Sequence, residues 1–324
     1  MLTSDFDYQL PPELIASEPL PDRSASRMMV VDRAAGTIEH RSFRDLADYA
    51  RDGDLFVLND TRVVPARFFS NDGTREVLRL DAITPTRWRC MIRPGKKFRI
   101  GHTVDIGDAI GRVVEIAENG DRTIEFDRPV DVERYGHLAL PHYMERADRE
   151  SDKERYQTVF AREDGSIAAP TAGLHFTPEL LARLPHTFVT LHVGVGTFQP
   201  VKADRVEDHV MHSERYSVSA ESAARIRNAQ RVIAVGTTAS RVLESVFRKH
   251  GQIVADHGET DIFIHPPHDF GVVNALLTNF HLPKSSLVML VSALAGRELI
   301  MRAYAEAIAQ RYRFYSYGDC MLIV

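Results

Sequence analysis

Between about Val63 and Met144 turn signals recur every ~8 to 12 residues, a spacing that confines this stretch to a small all-β barrel or sandwich. Short strand-like segments (Glu76 to Leu80, Arg87 to Ile92, Arg112 to Ile116 and Thr123 to Phe126) alternate there with Asp-Gly, Pro-Gly, Ile-Gly-Asp and Asn-Gly-Asp turns. The flanks read differently. Ahead of it, Met28 to Val31 and Asp54 to Leu58 have strand patterns, and Phe43 to Tyr49 reads as a helix ended by Gly53. Behind it, helix and strand patterns alternate to the end of the chain, as they do in α/β proteins with parallel strands. The expected architecture is a layered α/β domain with a mainly parallel sheet, made of residues 1–62 and 153–324, carrying an inserted small β-barrel domain over 63–152. The charged run Arg146 to Arg155 reads as a solvated linker.

At 324 residues the chain has room for roughly two domains of ~150. Its 44% hydrophobic content excludes disorder over most of the length. Forty Lys and Arg against 45 Asp and Glu give a formal charge of -5, so any nucleic-acid contact must be a local patch. Cys90 and Cys320 lie far apart without CxxC spacing, which excludes a disulfide scaffold or zinc ribbon and fits a reducing cytosol. The acidic, proline-containing first thirty residues have the wrong composition for a signal peptide. The most apolar run, Leu287 to Ala295, is about half the ~20 residues of a membrane span and reads as a buried helix. A cytoplasmic protein without membrane contact is expected.

Several stretches share one pattern, an apolar strand or turn that delivers polar groups to a helix start. Asp54 to Leu58 runs into Asn59-Asp60-Thr61-Arg62, a strand end where side chains meet solvent on a fixed backbone. Ala169 to Phe176 leads into Thr177-Pro178-Glu179, a good helix start, with His175 just outside it. The alternative for His175 is a histidine packed in a loop. Phe188 to Val193 carries His192 into Gly194-Val195-Gly196-Thr197, where glycines admit a ligand close to the backbone, although GxG alone is a weak dinucleotide signal. Asp208 to Tyr216 holds His209, His212 and Glu214, but its spacing is not that of HExxH zinc enzymes. Arg231 to Val235 ends in Gly236-Thr237-Thr238 and a helix with Arg241, a cradle for carboxylate or phosphate that lacks P-loop spacing. Leu276 to Leu282 is a buried-strand pattern ending in Asn279 and His281. In the β region, Arg87, Arg89, Arg93, Lys96, Lys97 and Arg99 surround Trp88 and Phe98 without an acid, a composition able to grip RNA phosphates and stack a base, or simply a solvated hairpin face.

Seven of these stretches together resemble one family, the S-adenosylmethionine:tRNA ribosyltransferase-isomerases of queuosine biosynthesis. They are NDTRVVPAR (59–67), APTAGLHFT (169–177), TLHVGVGTFQPV (190–201), DHVMHSERY (208–216), AVGTTASR (234–241), TNFHLPKSSL (278–287) and RFYSYGDCMLI (313–323). The resemblance spans nearly the whole chain, with departures at Ala239-Ser240, Pro267 and Cys320 and an insert shortened near Asp72-Gly73. It implies an α/β domain with an inserted β-barrel. It also implies transfer of the ribosyl part of S-adenosylmethionine to 7-aminomethyl-7-deazaguanine at the wobble position of a tRNA with a GUN anticodon, giving epoxyqueuosine and releasing adenine and methionine. S-adenosylmethionine is then a co-substrate and no metal is expected; a monomer is the expected assembly, although the sequence itself does not set the number of chains.

That chemistry needs a base for the carbon beside the sulfonium, an acid for the departing adenine, and an acceptor for the proton of an alkylammonium whose pKa resembles lysine at ~10.4. Asp60, His175, His192, His212, Glu214, His281 and Asp319 are the available set. The expected base is His175 or His192, and the expected acid or amine acceptor Asp60 or Glu214. Arg62, Arg67 and Arg241 would bind carboxylate or phosphate through the guanidinium fork. Thr171, Gly173, Gly194, Gly196, Thr197, Gly236, Thr237, Thr238 and Asn279 would line the co-substrate site, and the six cations from Arg87 to Arg99 would contact tRNA. A non-catalytic RNA-binding protein and, further off, a metal-dependent hydrolase using His209 and His212 are the rival readings.

Overall fold

The structure is a computed structural model that describes every residue except Glu145, Val195 and 197–200. Among the described residues one sheet has nine strands, ordered Asp256–Thr260, Glu214–Val218, His186–Leu191, Asp54–Asn59, Arg231–Val235, Ala275–Asn279, Cys320–Ile323, Arg27–Asp32 and Thr37–Ser42. The four strands from His186–Leu191 to Ala275–Asn279 run parallel, and pairing turns antiparallel on both sides of them. Their carboxyl ends therefore emerge along one edge.

Buried parallel strands place alternate side chains into two separate cores. Leu55, Val57, Val232 and Ala234 face the first, against the helices Thr237–His250, Ser286–Ala295 and Arg297–Ala309. Phe56, Leu58, Ile233 and Val235 face the second, with Phe43, Leu46, Phe176 and Leu180. Local signals set the helix ends. Thr177 accepts a hydrogen bond from the Leu180 amide, Ser285 accepts one from Val288, and Gly251 closes Thr237–His250 in the left-handed region at φ 71°. Phe43–Tyr49 is a 3-10 helix, held by a reciprocal cap between Ser42 and Asp45. No helix among the described residues is long and apolar enough to cross a membrane.

The second sheet is antiparallel, with six strands in the order Arg67–Phe69, Glu76–Thr84, Arg87–Arg93, Arg122–Phe126, Ala109–Ile116 and Thr103–Ile106. Asn71 nearly closes it into a barrel, because its amide donates to the Asp105 carbonyl at 2.9 Å and its side chain donates to the Gly107 carbonyl at 2.8 Å. Phe68, Trp88, Phe98 and Phe126 fill the interior.

Two expectations fail here. Trp88 and Phe98 are core residues, with Trp88 packed on Phe68 and Phe126, so neither is available to stack a base. The run from Arg146 to Arg155 is no solvated linker. It contains the helix Glu150–Arg155, and the buried Asp152 accepts two bonds from Arg146, at 2.6 and 2.8 Å. Arg155 meanwhile donates to the carbonyls of Leu20 and Pro21. Long side chains that find carbonyls and one buried carboxylate turn a charged run into packed structure.

Candidate active site

Asp54–Asn59 and His186–Leu191 stop pairing at Asn59 and Val189, and the Asn59 side chain takes over where the backbones part. Its Oδ1 accepts from the Leu191 amide at 3.0 Å and the Thr61 amide at 3.2 Å, while Nδ2 donates to the Leu191 carbonyl at 2.9 Å. This clamp holds Thr61 beside His192, and the Thr61 hydroxyl lies 2.8 Å from the imidazole Nδ1.

His192 is half-buried and lines a polar cleft between barrel and sheet, together with Asp81 and Arg89 from the barrel and Gly194, Gly196, His212 and Glu214 from the α/β part. Burial lowers the pKa of His192, the nearby Arg215 lowers it further, and Glu163, Asp60 and Asp164 pull the other way. The ring is neutral at physiological pH and able to accept a proton. His212 is exposed at the same cleft, with its ring against Gly196, where a Cβ would stand 2.4 Å from the imidazole.

A second, mostly apolar cleft opens beside the first, and Val193 lines both. Thr171, Gly236, Thr237, Thr238, Asn279 and His281 line it, as do Tyr143, Tyr315 and Ser316, which the sequence reading passed over. Tyr143 and Tyr315 pack with ring centroids 4.6 Å apart at a tilt of 53°, and the Ser316 amide donates to the Tyr143 hydroxyl at 3.1 Å. Tyr315 and Ser316 lie in the stretch 313–323 that carries part of the family resemblance, whereas nothing in the sequence around Tyr143 marks it out. Asn279 Nδ2 donates to the Tyr315 carbonyl and to His175 Nε2, whereas its buried Oδ1 has no hydrogen-bond partner among the described residues. The Thr238 hydroxyl is likewise unpartnered.

The remaining candidates stand elsewhere. His175 is buried behind Asn279 with both ring nitrogens engaged, Nδ1 at 3.0 Å from the Ser26 hydroxyl and Nε2 at 3.1 Å from Asn279. Burial first, then Arg313 and Arg23, push its pKa down to about 4. Asp60 accepts from Arg162 at 2.7 Å and from the Thr190 hydroxyl at 2.7 Å, which occupies both oxygens. Asp319 accepts the Arg27 and Arg313 backbone amides, each at 2.8 Å, and burial raises its pKa. Arg241 is spent inside the protein on Glu214 and the Ile262 carbonyl, so it is not an anion receptor. Arg62 holds the Ala161 carbonyl, and Arg67 pairs with Glu76 at the barrel base. Gly173 makes room for Phe160 and Thr158, which a Cβ would meet at 2.8 Å. Thr197 lies outside the described residues. Among those described, no three His, Cys, Asp or Glu side chains gather as a metal-ligand set.

The buried histidines also set an acid limit. His281, bonded to Thr278 at 2.9 Å, is pushed by burial down to about 3. For a histidine whose folded pKa is depressed, the unfolded chain binds the proton that the folded chain refuses. His175 and His281 therefore cost stability progressively as pH falls from ~6.5 towards their folded values, by ~1.4 kcal/mol per pH unit each. Urea midpoints should drop clearly between pH 7 and pH 5. Unchanged midpoints would mean that both rings are protonated or solvated in the folded protein.

Residues 3–323 match the family model described as "Queuosine biosynthesis protein". The chain belongs to this family. Among its curated relatives, the S-adenosylmethionine:tRNA ribosyltransferase-isomerase of Symbiobacterium thermophilum is 52% identical over 343 aligned positions, and that of Desulfitobacterium hafniense 49%, with all of both chains covered in each case. Among solved structures, the S-adenosylmethionine tRNA ribosyltransferase of Thermotoga maritima is 38% identical and superimposes with a TM-score of 0.58, covering 99% of this chain and 100% of that one. Queuosine-family membership thus agrees with a sheet edge that gathers ionisable groups around two adjoining clefts.

Proposed function

We propose that this chain transfers the ribosyl moiety of S-adenosylmethionine to 7-aminomethyl-7-deazaguanine at the wobble position of a tRNA with a GUN anticodon, forming epoxyqueuosine and releasing adenine and methionine. The observation that carries the reading is the neutral, half-buried His192 beside Val193, the residue shared by a largely apolar and a polar cleft. Two substrates of contrasting chemistry must meet in this reaction, and the two clefts differ in the same sense.

The apolar cleft suits the adenosine half of S-adenosylmethionine. It offers aromatic surface at Tyr143 and Tyr315. The polar cleft is lined by Asp81, Asp121, Glu214 and Glu259 against Arg89 and Arg215, an excess of carboxylates that suits a cationic aminomethyl group. When bound, the sulfonium acidifies its neighbouring 5′ carbon. His192 is the group placed to take that proton, in a site whose apolar side excludes water. Glu214 already accepts the Gly194 amide and Arg241, which leaves His212 as the candidate proton donor on the far side of the polar cleft. The division into residues 1–62 with 153–324 and an insert over 63–152 makes the barrel the jaw on the tRNA side. One chain is the working unit, with no metal.

Free adenine appearing on incubation with S-adenosylmethionine and aminomethyl-deazaguanine tRNA tests the reading. A protein that binds the tRNA and releases no adenine is a non-catalytic binder, and the reading then falls. Arg87, Arg89, Arg93, Lys96, Lys97 and Arg99 remain the proposed phosphate contacts, all on exposed barrel positions. Replacing Lys96, Lys97 and Arg99 together by alanine should weaken tRNA binding and flatten the slope of log affinity against log salt by about 2, at ~0.7 per single-stranded phosphate. An unchanged slope would return this hairpin to a plain solvated surface.

A further inference from the structure

We infer that Thr61 is a positioning residue for His192, its hydroxyl accepting the imidazole Nδ1 hydrogen and donating its own to the Glu163 carbonyl, so that Nε2 is left as the bare nitrogen. The inference rests on His192 being the base. Thr61 is fully buried at the start of the short strand Thr61–Val63, which pairs in parallel with Glu163–Ser166. Its Oγ1 stands 2.8 Å from His192 Nδ1 and 3.4 Å from the Glu163 carbonyl oxygen. A threonine hydroxyl has one hydrogen and can accept another. Giving its hydrogen to Glu163 and accepting from Nδ1 satisfies three polar groups at once. Giving it to Nδ1 would leave this bond to Glu163 unmade and put the ring hydrogen on Nε2, where the imidazole is only a donor.

The grip extends to the ring face. Gly165 lies beneath it at φ 143°, and a Cβ there would stand 3.0 Å from both Cε1 and Nδ1 of His192. Glycine is what lets the ring lie against the backbone. The Asn59 clamp fixes the spacing, because it holds the Thr61 amide and both backbone polar groups of Leu191.

A neutral orienting partner also suits a base. Arg215 faces the ring, with Glu163, Asp60 and Asp164 opposing it, and Asp81, Arg89, His212 and Glu214 line the cleft in front. A carboxylate at position 61 would add charge that holds the imidazole protonated, whereas a hydroxyl sets the tautomer without that charge.

The test compares Thr61→Val and Thr61→Ser with the full-length wild type, by steady-state adenine release and by 15N NMR of the His192 ring. In the wild type Nδ1 should carry the hydrogen and Nε2 should resonate as an unprotonated nitrogen. Thr61→Val should mix the tautomers and lower kcat by roughly ten- to a hundredfold, the scale on which losing the orienting partner of a metal-ligating histidine acts. KM for S-adenosylmethionine should stay within about twofold, and Thr61→Ser should restore most of kcat. A wild-type ring protonated on Nε2 overturns the inference even if the valine variant does not fold, and so does Thr61→Val with wild-type kcat. His192→Ala separates the two levels. Full activity there sinks the base assignment itself, whereas an inactive His192→Ala beside an unaffected Thr61→Val sinks only the role of Thr61.

Discussion

Replacing His192 by alanine is expected to lower turnover by roughly 10²- to 10⁴-fold, the usual contribution of a positioned general base, while the protein stays folded. The fold should tolerate the change because the ring belongs to none of the hydrophobic clusters, and its side-chain bond to Thr61 is worth only about 1 kcal/mol. Rate should depend on pH in a defined sense. The base works unprotonated, and burial with Arg215 lowers its pKa, so activity should fall only as pH drops below the ordinary histidine value of ~6.5. An acid limb lying above that value would assign the titration to another group. Substrate binding should change little, which separates this variant from one that damages a cleft wall.

Loss of Arg241 should act on stability instead. Arg241 and Glu214 are both almost fully buried and paired, and removing one partner strands a charge, at a cost of about 3–5 kcal/mol. Arg241→Ala also removes the donor to the Ile262 carbonyl, 3.2 Å away. The free energy of unfolding in urea should fall by that amount, and a paired replacement, Arg241→Met with Glu214→Leu, should recover part of it. The site would suffer indirectly, since Glu214 Oε1 accepts the Gly194 amide at 2.8 Å and holds the backbone two residues after His192. An Arg241→Ala protein as stable as wild type but weak for S-adenosylmethionine would restore Arg241 as an anion receptor.

What the sequence made legible, and what it left hidden, follows from the range of the interactions involved. Strand ends carrying Asn59, His192, Gly236 and Asn279 could be read because polar residues after an apolar run mark a position that backbone periodicity sets. The turn-rich stretch and the helix Ser286–Ala295 were visible for the same reason. Which way a polar side chain faces depends on distant partners. Asp60 is claimed by Arg162, Asp319 by two backbone amides and His175 by Ser26 and Asn279, and no local pattern announces any of these. Trp88 is different. The apolar residues at 88, 90 and 92 alternate with Arg87, Arg89 and Arg93, so strand periodicity points the ring inward whatever the cation content around it. Thr61 carried no signal beyond standing in a polar cluster, since its place beside His192 exists only once Asn59 joins two strand ends.

The central claim is that His192 removes the proton from the carbon beside the sulfonium. S-adenosylmethionine labelled with tritium at the 5′ carbon, supplied with aminomethyl-deazaguanine tRNA, tests it most directly. The wild type should release tritium to water along with adenine, and His192→Ala should release neither. Tritium release by His192→Ala at the wild-type rate would contradict the account.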